Sequence, residues 1–131
     1  MTEKEKSLKK IKTYIDSHLQ EELDLDKVAK EAGYSKYHLE RLFTKHYGCT
    51  LTKYIREERL KAAAIQLAFT NTSILEIAFG ACYESQQAFT LAFKRLYQVS
   101  PGFYRNNIRQ AVRNSVFSTV FRLGSERRLT A

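Results

Sequence analysis

Tryptophan is absent from the 131 residues, proline occurs once, cysteine twice and glycine five times. With so few glycines and prolines, and no hairpin dipeptide between alternating apolar runs, an all-β fold is excluded and an all-α fold is expected. Cys49 and Cys82 stand 33 residues apart without a further Cys or a His at ligand spacing. That excludes a sequence-evident zinc site and a disulfide framework, and both read as buried thiols. No 18 apolar residues run together; the longest candidate, near Ala62 to Phe69, is interrupted by Gln66, so no bilayer span is expected. Nor does an apolar run of signal-peptide length follow Lys4, Lys6, Lys9 and Lys10, so a cytoplasmic location without membrane contact is expected.

What is present is a core-forming hydrophobic fraction of 44% and an excess of basic charge, 22 Lys plus Arg against 14 Asp plus Glu, for a formal +8. The length allows one domain or two very small ones and excludes enzymes with separate cofactor and substrate domains. The charge favours a polyanionic partner, nucleic acid first and an acidic membrane surface second. No paired carboxylates, Ser/His/Asp set or phosphate loop is present, so neither enzymatic activity nor a cofactor is expected.

Periodicity and capping residues lay out seven helices. Leu8, Ile11 and Ile15 share the face of a first helix. Asp24 caps a short second one ending at Gly33, Ser35 a third that stops at Gly48, and Thr50 a longer fourth reaching Ala68. Ser73 and Glu76 form a capping-box pattern for the fifth. Ser85 caps the sixth, and Ser100 followed by Pro101 opens the seventh. Helices five to seven repeat two to four. A shift of 49 superposes Val28, Ala29, Ala32 and Tyr34 on Ile77, Ala78, Ala81 and Tyr83. A shift of 50 superposes Ser35, Phe43, Tyr47 and Tyr54 on Ser85, Phe93, Tyr97 and Tyr104. One unit is used twice.

A short helix, a tight turn and a second helix with a polar, basic outer face is the sequence picture of a helix-turn-helix. In the first copy Ala29 is small where two helices cross, and Lys36, Tyr37, Glu40, Arg41, Thr44 and Lys45 point outward. In the second the outward set is Gln86, Gln87, Thr90, Leu91, Lys94 and Arg95. Such groups suit a DNA major groove, where Arg reads guanine, Gln suits adenine, apolar groups meet the thymine methyl and Lys holds phosphates. Arg59, on the fourth helix beside acidic residues, is expected in a structural ion pair. His18 is expected half-buried, and His38 and His46 lie on the first outward-facing helix, within reach of phosphate.

These residues resemble the DNA-binding module of AraC/XylS-type transcription regulators. The stretches that carry the resemblance are V-A-K-E-A-G-Y-S-K-Y-H-L-E-R-L-F, Y-I-R-E-E-R-L-K-A-A and E-S-Q-Q-A-F-T-L-A-F-K, ending in S-P-G-F-Y-R, between about Leu8 and Asn107. Within that family the chain looks most like the stand-alone MarA/SoxS/Rob subgroup, with no small-molecule effector domain before the module. The resemblance implies an all-α, seven-helix module of two helix-turn-helix subdomains, residues 1–49 and 70–107, joined by a linker helix at 50–69. It implies recognition helices at 36–47 and 86–97, with Tyr37, Glu40 and Arg41, then Gln86, Gln87, Thr90 and Leu91, at base-reading positions. It implies double-stranded promoter DNA as partner and activation through RNA polymerase. Three departures stand out: Cys82-Tyr83 where the family usually has Gly-Phe, Gln98 where many members have Gly, and Leu91 at a position often Arg. A strained second turn is expected from the first two.

Two recognition helices in one chain, about 34 Å apart, fit a monomer on successive major grooves of an asymmetric site. A non-specific nucleoid-type binder and a helical protein-interaction module are the alternatives. From Arg105 onward stand six Arg and one Glu, with Ile108, Val112, Val116 and Val120 at every fourth position. An additional amphipathic helix is therefore expected within a basic extension at 108–131, capping the second core or docking a partner.

Overall fold

The computed structural model describes the backbone of residues 1–130 and the side chains of residues 1–120 and Arg122. Seven helices follow one another among the described residues: α1 (Glu3–Ser17), α2 (Leu25–Glu31), α3 (Lys36–Tyr47), α4 (Leu51–Phe69), α5 (Ile74–Gly80), α6 (Gln86–Tyr97) and α7 (Pro101–Thr130). The capping residues set most boundaries. The side chains of Asp24, Ser35, Thr50, Ser73 and Ser85 each accept the backbone N–H three residues on. Ser100 does the same for Phe103 at 3.2 Å, with Pro101 as the first helical residue. Thr2 and Glu5 add a reciprocal capping box at α1.

Two hydrophobic cores form, and α4 serves both. Its N-terminal half gives Leu51 and Ile55 to a core with Leu8, Ile11 and Ile15 of α1, Ala29 of α2, and Leu39 and Phe43 of α3. Its C-terminal half gives Leu60, Ala63, Ala64 and Leu67 to a second core with Ile77, Ala78, Phe89 and Phe93. Each large buried side chain contributes about 1.5–3 kcal/mol on removal from water. The copies also match in their aromatic packing. Phe43 lies 4.6 Å from Tyr47 and 5.4 Å from Tyr54, and Phe93 lies 4.5 Å from Tyr97 and 5.4 Å from Tyr104.

Arg59 departs from its expected ion pair. Its guanidinium donates to the backbone carbonyls of Leu19 at 2.8 Å and Glu21 at 2.7 Å, tying the α1–α2 loop to α4. The neighbouring acids are taken by lysines, Glu57 by Lys53 and Glu58 by Lys61. Arg105 and Arg109 of α7 clamp the second unit in a similar way, Arg105 donating to the Leu67, Thr70 and Thr72 carbonyls and Arg109, the positional counterpart of Arg59, donating to the Thr70 carbonyl and to Asn71 Oδ1 at 3.0 Å. Loop carbonyls partly withdrawn from water need donors, and a planar guanidinium serves two or three at once. Tyr54 donates its hydroxyl to Asp16, joining α4 to α1. Burial first, and that bond second, push the phenol up to about 12.

The C-terminal expectation is also revised. No separate eighth helix forms among the described residues; α7 runs unbroken from Pro101 to Thr130, about 45 Å at 1.5 Å per residue. Residues 111–120 are exposed on every side, Val112, Val116 and Val120 at 52%, 58% and 63%, so this stretch does not cap the second core. Within the expected extension at 108–131, the side chains of Phe121 and of the residues beyond Arg122 lie outside the described residues. Among the described residues no helix is long and apolar enough to cross a membrane.

Candidate nucleic-acid interface

In the first unit the turn between α2 and α3 is closed by the Tyr34 N–H donating to the Ala29 carbonyl at 2.9 Å. Ala29 is wholly buried, which leaves room for the helices to cross only because its side chain is one methyl. Gly33 sits at φ +82°, a conformation that side chains with a Cβ rarely adopt. Ser35 then receives the His38 N–H at 3.1 Å and starts α3. Leu39 and Phe43 turn fully inward. Period 3.6 then sends the intervening side chains outward. Lys36, Tyr37, Arg41, Thr44 and Lys45 are exposed, with Tyr37 at 82% standing furthest from any packing.

Glu40 lies in this row but not free in it. It is half-buried, and its carboxylate accepts the Leu51 N–H at 2.9 Å and the Thr52 hydroxyl at 3.3 Å, at the first turn of α4. Glu40, Arg41, Thr44, Lys45, Thr50 and Thr52 together edge one shallow depression on the surface.

The second unit repeats the construction. The Tyr83 N–H donates to the Ala78 carbonyl at 3.0 Å, Ala78 is wholly buried, and Ser85 receives the Ala88 N–H at 3.1 Å. The turn itself holds Cys82 at φ +66°, so the strain expected from the missing glycine is present. Cys49 and Cys82 are half-buried rather than buried. Cys82 keeps its thiol toward the Leu19 carbonyl at 3.8 Å, in the saddle between the units. With Phe89 and Phe93 inward, Gln86, Gln87, Leu91 and Lys94 are exposed and Thr90 is half-buried; these five edge a second shallow depression. Arg95 stands apart from them. It is exposed on the other side of α6, where it lines a crevice with Arg56, Glu57, Leu60, Ala92 and Leu96.

The two faces differ in charge. Lys36, Arg41 and Lys45 span the first, whereas the second carries no cation before Lys94. Among the described residues the ion pairs lie on α1 and α4, Lys6–Glu3, Lys12–Asp16, Lys53–Glu57 and Lys61–Glu58. None neutralises an outward Lys or Arg of α3 or α6, so both faces present uncompensated positive charge, as a polyanion binder requires. The histidines are engaged in ring contacts: half-buried His18 stacks on Tyr14, His38 meets Tyr34 edge-on, and exposed His46 meets Tyr47. Among the described residues no three His, Cys, Asp or Glu side chains converge to hold a metal.

Comparison with known proteins accounts for this arrangement. Residues 28–107 match the family described as helix-turn-helix domain. The chain is 45% identical over 100 residues to the transposon Tn10 TetD protein of Escherichia coli, covering 76% of this chain and 72% of that protein. It is 38% identical over 104 residues to the regulatory protein SoxS of Escherichia coli strain K12, covering 79% of this chain and 97% of SoxS. Other relatives are longer: the match spans 32% of the right origin-binding protein of Escherichia coli strain K12, at 43% identity over 72% of this chain. Among solved structures, the DNA-binding domain of the transcriptional factor AdpA, crystallised with a target DNA, superposes with a TM-score of 0.74. It is 25% identical, over 79% of this chain and 94% of that one. A solved transcriptional regulator of AraC type from Chromobacterium violaceum superposes with a TM-score of 0.75, at 27% identity over 81% of this chain and 95% of that one. Two helix-turn-helix units on a shared helix, with matching relatives across more than two thirds of its length, place this chain in the helix-turn-helix family of AraC-type transcription regulators.

Proposed function

We propose that the chain binds one asymmetric double-stranded promoter site as a monomer, with α3 and α6 in successive major grooves. The observation that carries this reading is the pair of outward faces. They come from one repeated unit, yet they bear different side chains, so one chain holds two unlike readers. A palindrome requires two copies of a single reader about a twofold axis. In this reading Tyr37 and Arg41 read bases under α3, and Gln86, Gln87, Thr90 and Leu91 read them under α6, while Lys36, Lys45 and Lys94 hold phosphates. The units divide as residues 1–49 and 70–107 with the linker at 50–69, and 108–131 is a basic extension of the second. The split of the hydrophobic core along α4 supports that division.

The family resemblance supports the rest of the proposal: a cytoplasmic, non-enzymatic regulator that activates transcription by contact with RNA polymerase. Selecting bound fragments from random double-stranded DNA tests the core of it. The expected product is one non-palindromic site bound with one protein per duplex, with affinity falling steeply as salt rises. Equal binding to random DNA indicates a nucleoid-type binder. Failure to bind DNA indicates a protein-interaction module. Transcription from the selected site with purified polymerase, with and without the protein, tests activation.

A further inference from the structure

The first helical residue of α4 is Leu51, wholly buried, and its N–H is one of the donors a helix start leaves unpaired. Thr50, the capping residue, is already occupied by the Lys53 N–H at 3.1 Å. The acceptor that Leu51 finds comes from eleven residues earlier, the Glu40 carboxylate on the outward face of α3, whose other oxygen receives the Thr52 hydroxyl. The second copy meets the same need differently. By the shift of 50, Leu51 corresponds to Pro101, Thr50 to Ser100 and Glu40 to Thr90. Proline has no N–H to satisfy, and no carboxylate faces it. The carboxylate is present in the copy whose third helix begins with an amide donor and absent in the copy whose third helix begins with proline.

Base reading would demand something else of Glu40. A carboxylate in the major groove accepts from the cytosine amino group, and reaching it would mean leaving a buried backbone donor unpaired. We propose that Glu40 is a positioning residue for DNA reading, holding the first recognition helix against the N-terminus of α4 so that Tyr37 and Arg41 enter the groove at a fixed angle. This rests on α3 being a recognition helix. If the unaltered protein shows no sequence preference, that reading fails before Glu40 is tested.

The test compares Glu40→Ala and Glu40→Gln by affinity and by selection from random DNA. Loss of a charge-assisted cap should make Glu40→Ala bind about tenfold more weakly to every sequence, with the selected site unchanged. Glu40→Gln keeps an acceptor oxygen for Leu51, so it should bind within about threefold of the original and select the same site. A base reader gives the opposite result: Gln shifts the preference at one base pair from cytosine toward adenine, and Ala relaxes that position alone. That outcome, or a Glu40→Ala protein that binds as well as or better than the original, overturns the proposal. If Glu40→Ala does not fold, the selection with Glu40→Gln decides by the same criterion.

Discussion

At its two turns the first unit places glycines in the left-handed region, Gly33 at φ +82° and Gly48 at +80°, where the second places Cys82 at +66° and Gln98 at +67°. The helices on either side do not register the exchange. The Phe–Tyr contacts of the two cores agree to within 0.1 Å in ring separation, and the crossing alanines, Ala29 and Ala78, are equally buried. The turn geometry is therefore imposed by packing, and the residue at the turn absorbs the cost, about 1–2 kcal/mol for a side chain with a Cβ. Small local bonds offset part of it. The Gln98 amide donates to the Arg95 carbonyl at 3.1 Å, and the Cys82 thiol faces the Leu19 carbonyl. The copy with the strained turns is also the copy whose outer face lacks cations in its first two turns.

The largest effects should come from what the copies share. Ala29→Leu and Ala78→Leu force a branched side chain into a crossing with no exposed surface, and each should destabilise its unit by about 1–3 kcal/mol. Melting of each variant measures this. If Ala29→Leu leaves melting unchanged, the crossing is not where the helices set their angle.

Next come the readers. Arg41→Ala should cost about 1–3 kcal/mol of specific binding and relax one base pair, whereas Leu91→Ala should cost less than about 1 kcal/mol, since Leu offers only an apolar contact. Titration against single-base variants of the selected site compares them. Leu91→Arg should narrow the gap by adding a guanine-reading fork.

The turns give a smaller effect of opposite sign. Cys82→Gly should stabilise the second unit by about 1 kcal/mol, and Gln98→Gly by less because it loses the bond to Arg95. In reverse, Gly33→Cys should destabilise by backbone strain alone, since no atom lies within 4 Å of an added Cβ. A denaturant series on the three variants checks both signs. The smallest effect concerns the exposed stretch of α7: Val112→Ala and Val116→Ala should each change stability by under about 0.5 kcal/mol in the same denaturant series, because both side chains are more than half exposed.

Helix starts were legible because capping is local; Asp24, Ser35, Thr50, Ser73, Ser85 and Ser100 each satisfy a donor three residues on. The doubling of the unit was legible because two cores of one shape demand small and aromatic residues at the same offsets. The clamps were not. Arg59 and Arg105 seek backbone carbonyls 33 to 40 residues away, and a carbonyl carries no residue-type signal. Acidic neighbours of Arg59 invited an ion-pair reading that lysines pre-empt. The partners of Glu40 were hidden for a related reason: its place on the outer row of α3 was legible, but the backbone amide on the next helix that its carboxylate accepts from carries no residue-type signal. In α7 the spacing of Ile108, Val112, Val116 and Val120 marked helix correctly, but periodicity cannot tell whether anything packs on the stripe. The absence of a breaker between Tyr104 and Ile108 was the available sign that one helix continues.

If two unlike readers on one chain divide a single site, the more cationic face of α3 should dominate selectivity and α6 should mainly add affinity. Equilibrium binding to the selected site, to the site with only the α3 half scrambled and to the site with only the α6 half scrambled tests it most directly. The expected result is a loss at least about tenfold larger for the α3 half, in line with one bidentate Arg contact. Equal losses for the two halves, or a larger loss for the α6 half, would contradict it.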